Sequence, residues 1–319
     1  MSATDQSLAI GIDIGGTKIR GLLVDAHGTL HGETRVPTNA QQGASTVLAA
    51  ILQSVDALTQ AAKQPRQSIV GVGISSAGVI EPTIGLVLSS APQIPGWEGT
   101  NLKQAIGAHC ALPVIADNDA NCALVGEVWH GQHGLGDEAS AVMLTLGTGL
   151  GGALMQNGKL ITGAHHLTGH YGIARMWDRY SDAYVKVEQL VSGTGLGNIY
   201  RQLVPSAAEA TGASVIAGVQ AGVRAGEPHA REAREALRRW CEHLALQLFN
   251  IFWQIDPDRI ILGGGMIDSR EVWWPHLLAA LDALDTRGQR VPLAVASLGN
   301  DAGAWGAARL VYDQRAVAP

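Results

Sequence analysis

Apolar residues run in short blocks at Leu8–Asp13 and Ile19–Asp25, on either side of Gly15-Gly16-Thr17-Lys18, and this spacing predicts a β-hairpin with a glycine turn. Leu30–Thr38 continues as a third strand. At Ser45–Ala62 the period changes: Val47, Leu48, Ile51, Val55, Leu58 and Ala62 lie three and four apart, as an amphipathic helix requires. Ile69–Ile74 reads as a buried strand. The Gly-, Pro- and Ser-rich stretch Ser75–Asn101 follows, with one short strand at Leu86–Leu88, and a loop region of that length points to function. Leu102–His109 is predicted helical, Pro113–Ala116 a strand, and Asp119–Trp129 a second helix. The pattern then restarts. Ala139–Leu146 and Leu150–Gln156 flank Gly147-Thr148-Gly149, with a third strand at Lys159–Thr162, so the second half repeats the hairpin of the first. Helices are expected at Val187–Leu203, Ala213–Ala225, His229–Ile255, Arg270–Leu284 and Gly303–Val311, and strands at Arg259–Leu262 and Val291–Ala296.

A chain of 319 residues has room for two domains. Nothing in it resembles a disordered linker, so two lobes packed together are expected, with the site in the cleft. With 46% hydrophobic and 16% charged residues and a mean hydropathy of +0.12, a disordered chain is excluded. The 40 glycines have no triplet period, which excludes collagen and directs attention to turns and ligand loops. Twenty-two basic against 28 acidic residues give −6, which argues against a nucleic-acid partner. Cys110, Cys122 and Cys241 form neither a C-x-x-C nor an even set, so a disulfide framework is not expected and a reducing cytoplasm fits. Met1–Ser7 lacks the basic and apolar regions of a signal peptide, and no apolar stretch is long enough for a bilayer; a cytoplasmic protein without a membrane partner is expected.

Three glycine-rich turns fall at strand ends: Gly15-Gly16-Thr17-Lys18 after Asp13, Gly147-Thr148-Gly149, and Gly263-Gly264-Gly265. Each alone reads equally as an ordinary turn. Together, with donors at Thr17, Lys18 and Thr148 and with Asp13 to hold Mg2+ through water, they favour a nucleotide. Gly147-x-Gly149-x-x-Gly152 spells a dinucleotide fingerprint, but a strand and turn follow it instead of a helix, and no G-x-x-x-x-G-K-[ST] occurs. Asp117-Asn118-Asp119 enters a helix from a strand. Any of the three is a candidate N-cap, and an ionised Asp there is also placed to take an alcohol proton during phosphoryl transfer. His165, His166 and His170 lack the H-E-x-x-H glutamate of a zinc hydrolase. Glu188 reads as a solvated helix face, and Trp240, Trp253, Trp273 and Trp274 as core.

The order of these motifs carries a resemblance. The turn Asp13–Lys18, the loop Ala91–Trp97, Asn118-Asp119-Ala120-Asn121, Gly147-Thr148-Gly149, Glu188-x-x-x-Ser192-Gly193, Gly263-Gly264-Gly265 and Asp301-Ala302-Gly303-Ala304-x-Gly306 resemble the ROK family of bacterial sugar kinases and repressors, from about Ala9 to Leu310. The resemblance implies an α/β, actin-like ATPase fold of the sugar kinase/Hsp70 superfamily, two lobes around a central cleft. A smaller lobe is expected from residues 1–118 plus 303–319 and a larger one from 119–302. It implies ATP and Mg2+, with Asp13, Gly15, Gly16, Thr17, Lys18, Gly147, Thr148, Gly149, Gly263, Gly264 and Gly265 at the nucleotide and Asp13 at the metal. It makes Asp119 the catalytic base and places Gly78, Gln93, Asn118, Asp119, His170 and Glu188 at the sugar, and family analogy favours a homodimer. The chain departs from the family pattern G-E-x-G-H at Gly169-His170-Tyr171-Gly172-Ile173. His replaces the sugar-binding Glu, Ile replaces a zinc His, and no Cys lies between His170 and Glu188, so no zinc is expected. Gln93 stands where the family loop usually has Asn. His170 is shared with some N-acetylmannosamine kinases of the family, which sets N-acetylhexosamines beside glucose and mannose as substrates of a 6-hydroxyl kinase. A repressor is disfavoured because only about eight residues precede Ile10, too few for a DNA-binding helix pair. A catalytically silent sugar-binding protein is the remaining alternative.

Overall fold

The computed structural model describes residues 7–62, 69–89, 94–222 and 229–317, and the chain divides into two compact units. The first comprises Met1–Asp137, Gly158–Leu167 and Ser297–Pro319, the second Glu138–Asn157 and Thr168–Ala296. This division differs from the expected one. Residues 119–137 belong to the first unit, which is also the longer of the two, because the helix that starts at Asp119 packs along the C-terminal helix.

In the first unit the strands are β1 (Leu8–Ile14), β2 (Lys18–Asp25), β3 (Leu30–Pro37), β4 (Ile69–Ser76), β5 (Val79–Glu81), β6 (Leu86–Ser89) and β7 (Val114–Asn118), and the helices are α1 (Ala44–Ala61), α2 (Leu102–Cys110) and α3 (Asp119–His130). The main sheet has the order β3-β2-β1-β4-β7, antiparallel across β3-β2-β1 and parallel across β1-β4-β7. Side chains of a strand alternate between faces. Leu8, Ile10, Ile12 and Ile14 accordingly share one cluster with Val47, Ile51, Val55 and Leu58 of α1, while Ala9 joins the residues of the last helix on the other. The strand β5 fell inside the expected loop; its three residues are too few to show a period.

In the second unit the strands are β8 (Ala141–Leu146), β9 (Leu150–Gln156), β11 (Arg175–Asp178), β12 (Ala183–Lys186), β13 (Arg259–Gly263) and β14 (Leu293–Val295). The intervening β10 (Lys159–Leu160) is shorter than expected. The helices are α4 (Glu188–Val191), α5 (Gly193–Leu203), α6 (Gly212–Gly222), α7 (Ala230–Ile255) and α8 (Arg270–Leu284). The order β9-β8-β13-β14, one antiparallel pair and two parallel ones, repeats β2-β1-β4-β7. The single helix expected over Val187–Leu203 is two, because Ser192 accepts from Gly195 N at 3.0 Å and caps α5. The last three residues of the helix expected over Ala213–Ala225 lie outside the described residues. The hairpin β11–β12 was not expected; its strands are four residues each, too short to show a period. Trp240 and Trp273 are fully buried, but Trp253 is 44% exposed near the end of α7, with the guanidinium of Arg287 5.5 Å from its ring centre.

The final helix, α9 (Ala302–Val317), belongs to the first unit. It lies so close to β1, β4 and α3 that a Cβ on Gly11 would overlap the carbonyl oxygen of Ala304, one on Gly73 that of Ala307, and one on Gly306 that of Cys122. Part of the glycine excess therefore serves helix–sheet contact, contrary to its expected place in turns and ligand loops.

Candidate active site

Three parallel strands of the first unit end in a row of oxygen-bearing side chains. The register sets Asp13 of β1 beside Ser75 of β4, and Ser75 beside Asp117 of β7. Ser75 Oγ donates to Asp13 Oδ1 at 2.5 Å. On the other side Asp13 is paired with Arg20 of β2, whose buried guanidinium donates to Asp301 Oδ1 at 2.9 Å and to Glu33 Oε2 at 2.5 Å. Burial pushes the Asp13 carboxyl up to about 6, with the negative charges of Asp119 and Asp301 adding to it and the Ser75 bond opposing it. Burial also raises Asp117, against hydrogen bonds from Asn121 Nδ2 at 2.8 Å and Asn118 N at 2.7 Å.

Where β7 runs into α3, the N-cap is Asn118. Its Oδ1 accepts from Ala120 N at 2.9 Å and Asn121 N at 3.4 Å, and its Nδ2 donates to Gly78 O at 2.7 Å. Two expected sugar-site residues, Asn118 and Gly78, are thereby joined, and one Nδ2 hydrogen of Asn118 is left over from these bonds. Capping by Asn118 leaves Asp119 in the first turn with an exposed side chain, its Oδ1 accepting from Ala120 N at 2.8 Å. Gln93 lies outside the described residues.

The β1–β2 turn is held from beneath: Thr38 Oγ1 donates to Gly15 O at 2.6 Å and Thr38 N to Thr17 O at 3.1 Å. Thr17 and Lys18 are exposed. In the second unit Gly147 N donates to Gly149 O at 3.1 Å, and Gly193 N donates to Gly147 O at 2.8 Å, which ties the β8–β9 turn to the start of α5. Trp240 Nε1 in turn donates to Ser192 O at 2.9 Å. A Cβ built on Gly16, Gly147 or Gly265 meets no atom within 4 Å, and none of the three has a left-handed φ. Neither packing nor backbone conformation requires glycine at these points, so what its presence provides is close access to the peptide N–H groups, as a phosphate needs. Gly264 differs: its φ is 85° and a Cβ would lie 2.5 Å from Leu146 O, a packing role.

Glu188 opens α4, with Lys186 Nζ 3.6 Å from Oε1 and its Oε2 3.4 Å from where a Gly149 Cβ would stand. His170 is half-buried, and its Nδ1 has no hydrogen-bond partner among the described residues. Asp13, Gly78, Asn118, Asp119 and the turn at 15–18 thus sit in the first unit, whereas Gly147–Gly149, His170, Glu188 and Gly263–Gly265 sit in the second. The sequence reading offered Asp117 only as a helix cap and missed Ser75 and the two residues of the last motif that reach Asp13. Asp301 acts on it by charge, and a Cβ on Gly303 would overlap Asp13 Oδ1. The signal for both lay in Asp301-Ala302-Gly303. The donor set at Asp13 is all oxygen with excess negative charge, which fits a hard divalent cation such as Mg2+.

A sequence model of the ROK family matches residues 9–314. The chain is 31% identical to a glucokinase of Streptomyces coelicolor, over 96% of this chain and 98% of that one. It is 32% identical to an N-acetyl-D-glucosamine kinase of Salmonella typhimurium, over 80% and 83%. A solved structure of a ROK family glucokinase from Streptomyces griseus in complex with glucose and AMPPNP matches at a TM-score of 0.73 and 26% identity, over 96% of this chain and all of that one. These likenesses establish the actin-like ATPase fold that the motifs implied, and the chain belongs to the ROK family.

Proposed function

We propose that this carbohydrate kinase transfers the γ-phosphoryl group of ATP to the 6-hydroxyl of a hexose or N-acetylhexosamine, with Asp119 as the base. The observation that carries the reading is Asp119 itself: an exposed carboxylate in the first turn of α3, directly after the Asn118 cap. As the oxygen–phosphorus bond to the sugar forms and the bond to the bridging oxygen of ADP breaks, the hydroxyl proton passes to Asp119. The transition state of such transfers is loose, so positioning and charge neutralisation dominate. The access to peptide N–H groups at Gly16, Gly147 and Gly265 supports phosphate binding. Mg2+ would be held at Asp13, where it supplies charge neutralisation for the phosphates.

The buried, unpartnered Nδ1 of His170 and the carboxylate of Glu188 are the groups we assign to the sugar. A Glu only accepts when ionised, whereas His donates at one nitrogen and accepts at the other, which suits an acetamido group at the 2-position beside a hydroxyl. The relatives' names point to both sugar classes, glucose and N-acetyl-D-glucosamine. A coupled assay of ADP release with ATP and Mg2+ over glucose, mannose, N-acetylglucosamine and N-acetylmannosamine tests the reading. Sugar-dependent ADP release with a 6-phosphate product is expected; binding of a sugar without any ADP release would favour the catalytically silent alternative.

A further inference from the structure

A cavity of about 850 Å3 opens in the second unit between β11, α7 and α8, and none of the residues assigned to phosphoryl transfer lines it. Its room originates in the sequence of α8. Ala279, Ala280 and Ala283 face the cavity, while Trp273, Leu277 and Leu281 fill the core from another face of the same helix. From α7 comes Gln247, 8% exposed, which adds a polar amide to the lining.

The lining is cationic. Arg179 and Arg238 share Glu242, at 2.5 Å from Arg179 Nη2, and Arg238 is also held by Glu235 from outside the cavity. Arg175 has no partner for its guanidinium among the described residues. Three guanidiniums therefore face one lining carboxylate, in a chain whose overall charge is −6. Beside them Trp177, 45% exposed and with its ring centre 5.0 Å from that of Tyr184, adds aromatic surface to the cavity wall. A ring of sugar size lies well on such a surface, and a phosphate or carboxylate on it would meet Arg175 in the fork geometry that guanidinium favours.

We propose that this cavity is a second small-molecule site, for a sugar-sized ring that bears one anionic group, phosphate or carboxylate. The proposal stands independently of the phosphoryl-transfer assignment. Titration calorimetry of the whole protein with glucose 6-phosphate, glucuronate, inorganic phosphate and glucose tests it, in wild type, Arg175→Ala and Ala279→Phe, each checked for folding by circular dichroism. At least one ring anion should bind, at least about tenfold more weakly in Arg175→Ala and not measurably at this site in Ala279→Phe, while turnover of both variants without added anion stays at the wild-type level. Should Arg175→Ala fail to fold, Ala279→Phe, which keeps every charge, decides alone. Absence of binding for all four probes, binding unaltered in the variants, or phosphate alone binding as tightly as the ring anions would each overturn the proposal. So would a change of mass in sedimentation caused by Ala279→Phe without any change in anion binding, which would assign the face to a second copy of the chain.

Discussion

Replacing Asp13 by Asn should make the protein more stable and inactive at once. The carboxyl is held at about 6 against an ordinary 3.8, so the folded protein holds this proton more tightly than the unfolded chain. Below 3.8 both states are protonated and nothing is lost. As pH rises the unfolded chain releases the proton first, and above about 6 the ionised group costs the folded state the full difference. About two pH units correspond to about 3 kcal/mol. Asp13 keeps some contact with solvent, so a gain of about 1–3 kcal/mol is expected at pH 7.5, falling to about 1 kcal/mol or less at pH 4.5. Asn is nearly isosteric, and its Oδ1 still accepts from Ser75 Oγ. Urea unfolding of both proteins at the two pH values, without divalent cations, measures the gap, and the coupled kinase assay should show a loss of at least ~10²-fold. A variant less stable than wild type at pH 7.5, or a gap independent of pH, would refute the reasoning. Mg2+ with ATP should raise the melting temperature of wild type more than that of Asp13→Asn.

Asp119→Ala should lower turnover by ~10²–10⁴-fold with folding and sugar binding retained, measured by the coupled assay beside calorimetry; near wild-type turnover would remove Asp119 from the base role. His170→Glu should reorder kcat/KM among glucose, mannose and the two N-acetylhexosamines while leaving the KM for ATP little changed, and an unchanged ranking would mean that His170 does not read the 2-position. Gly303→Ala should destabilise wild type by about 1–3 kcal/mol through overlap with Asp13 and cost less in an Asp13→Ala background, where the Ser75 hydroxyl at 2.9 Å is the close contact left, a double-mutant comparison by urea unfolding. Elemental analysis should find no stoichiometric zinc, because a structural site needs four N or S ligands and residues 171–187 contain neither Cys nor His.

What was legible in the sequence is what repeats locally. Both glycine hairpins, the amphipathic α1 and the strand–helix junction at Asn118–Asp119 follow from spacings of two to four residues, and all lie within a residue or two of the expected bounds. The break at Ser192 was hidden because its cap competes with a continuous apolar pattern that would equally suit one helix. The row Asp13–Ser75–Asp117 was hidden for a different reason. Its members are 62 and 42 residues apart, and only the pairing register of β1, β4 and β7 makes them neighbours. Gly11 and Gly73 lie inside expected strands and Gly306 inside an expected helix, where no local spacing asks for glycine; their need for a missing Cβ comes from the packing of α9, from the other end of the chain, onto β1, β4 and α3.

The internal repeat sharpens the reading of Asp13. Ala9-Ile10-Gly11-Ile12-Asp13-Ile14-Gly15 at β1 corresponds strand for strand to Ala141-Val142-Met143-Leu144-Thr145-Leu146-Gly147 at β8, so the place of Asp13 is taken in the second unit by Thr145. A turn that needs only to accept phosphate oxygens gains nothing from an adjacent carboxylate, which repels them, and a hydroxyl residue is the better neighbour. The first repeat nevertheless carries Asp13 with Asp119 and Asp301 close enough in charge to raise it. Such an arrangement is unfavourable by itself and becomes favourable when a cation stands between the carboxylate and the phosphates. The two repeats share one backbone device, a hairpin turn opened by glycine. Where the first repeat has the carboxylate of Asp13 the second has the hydroxyl of Thr145, and that difference supports the proposal of direct phosphate contact at the second turn and cation-assisted contact at the first.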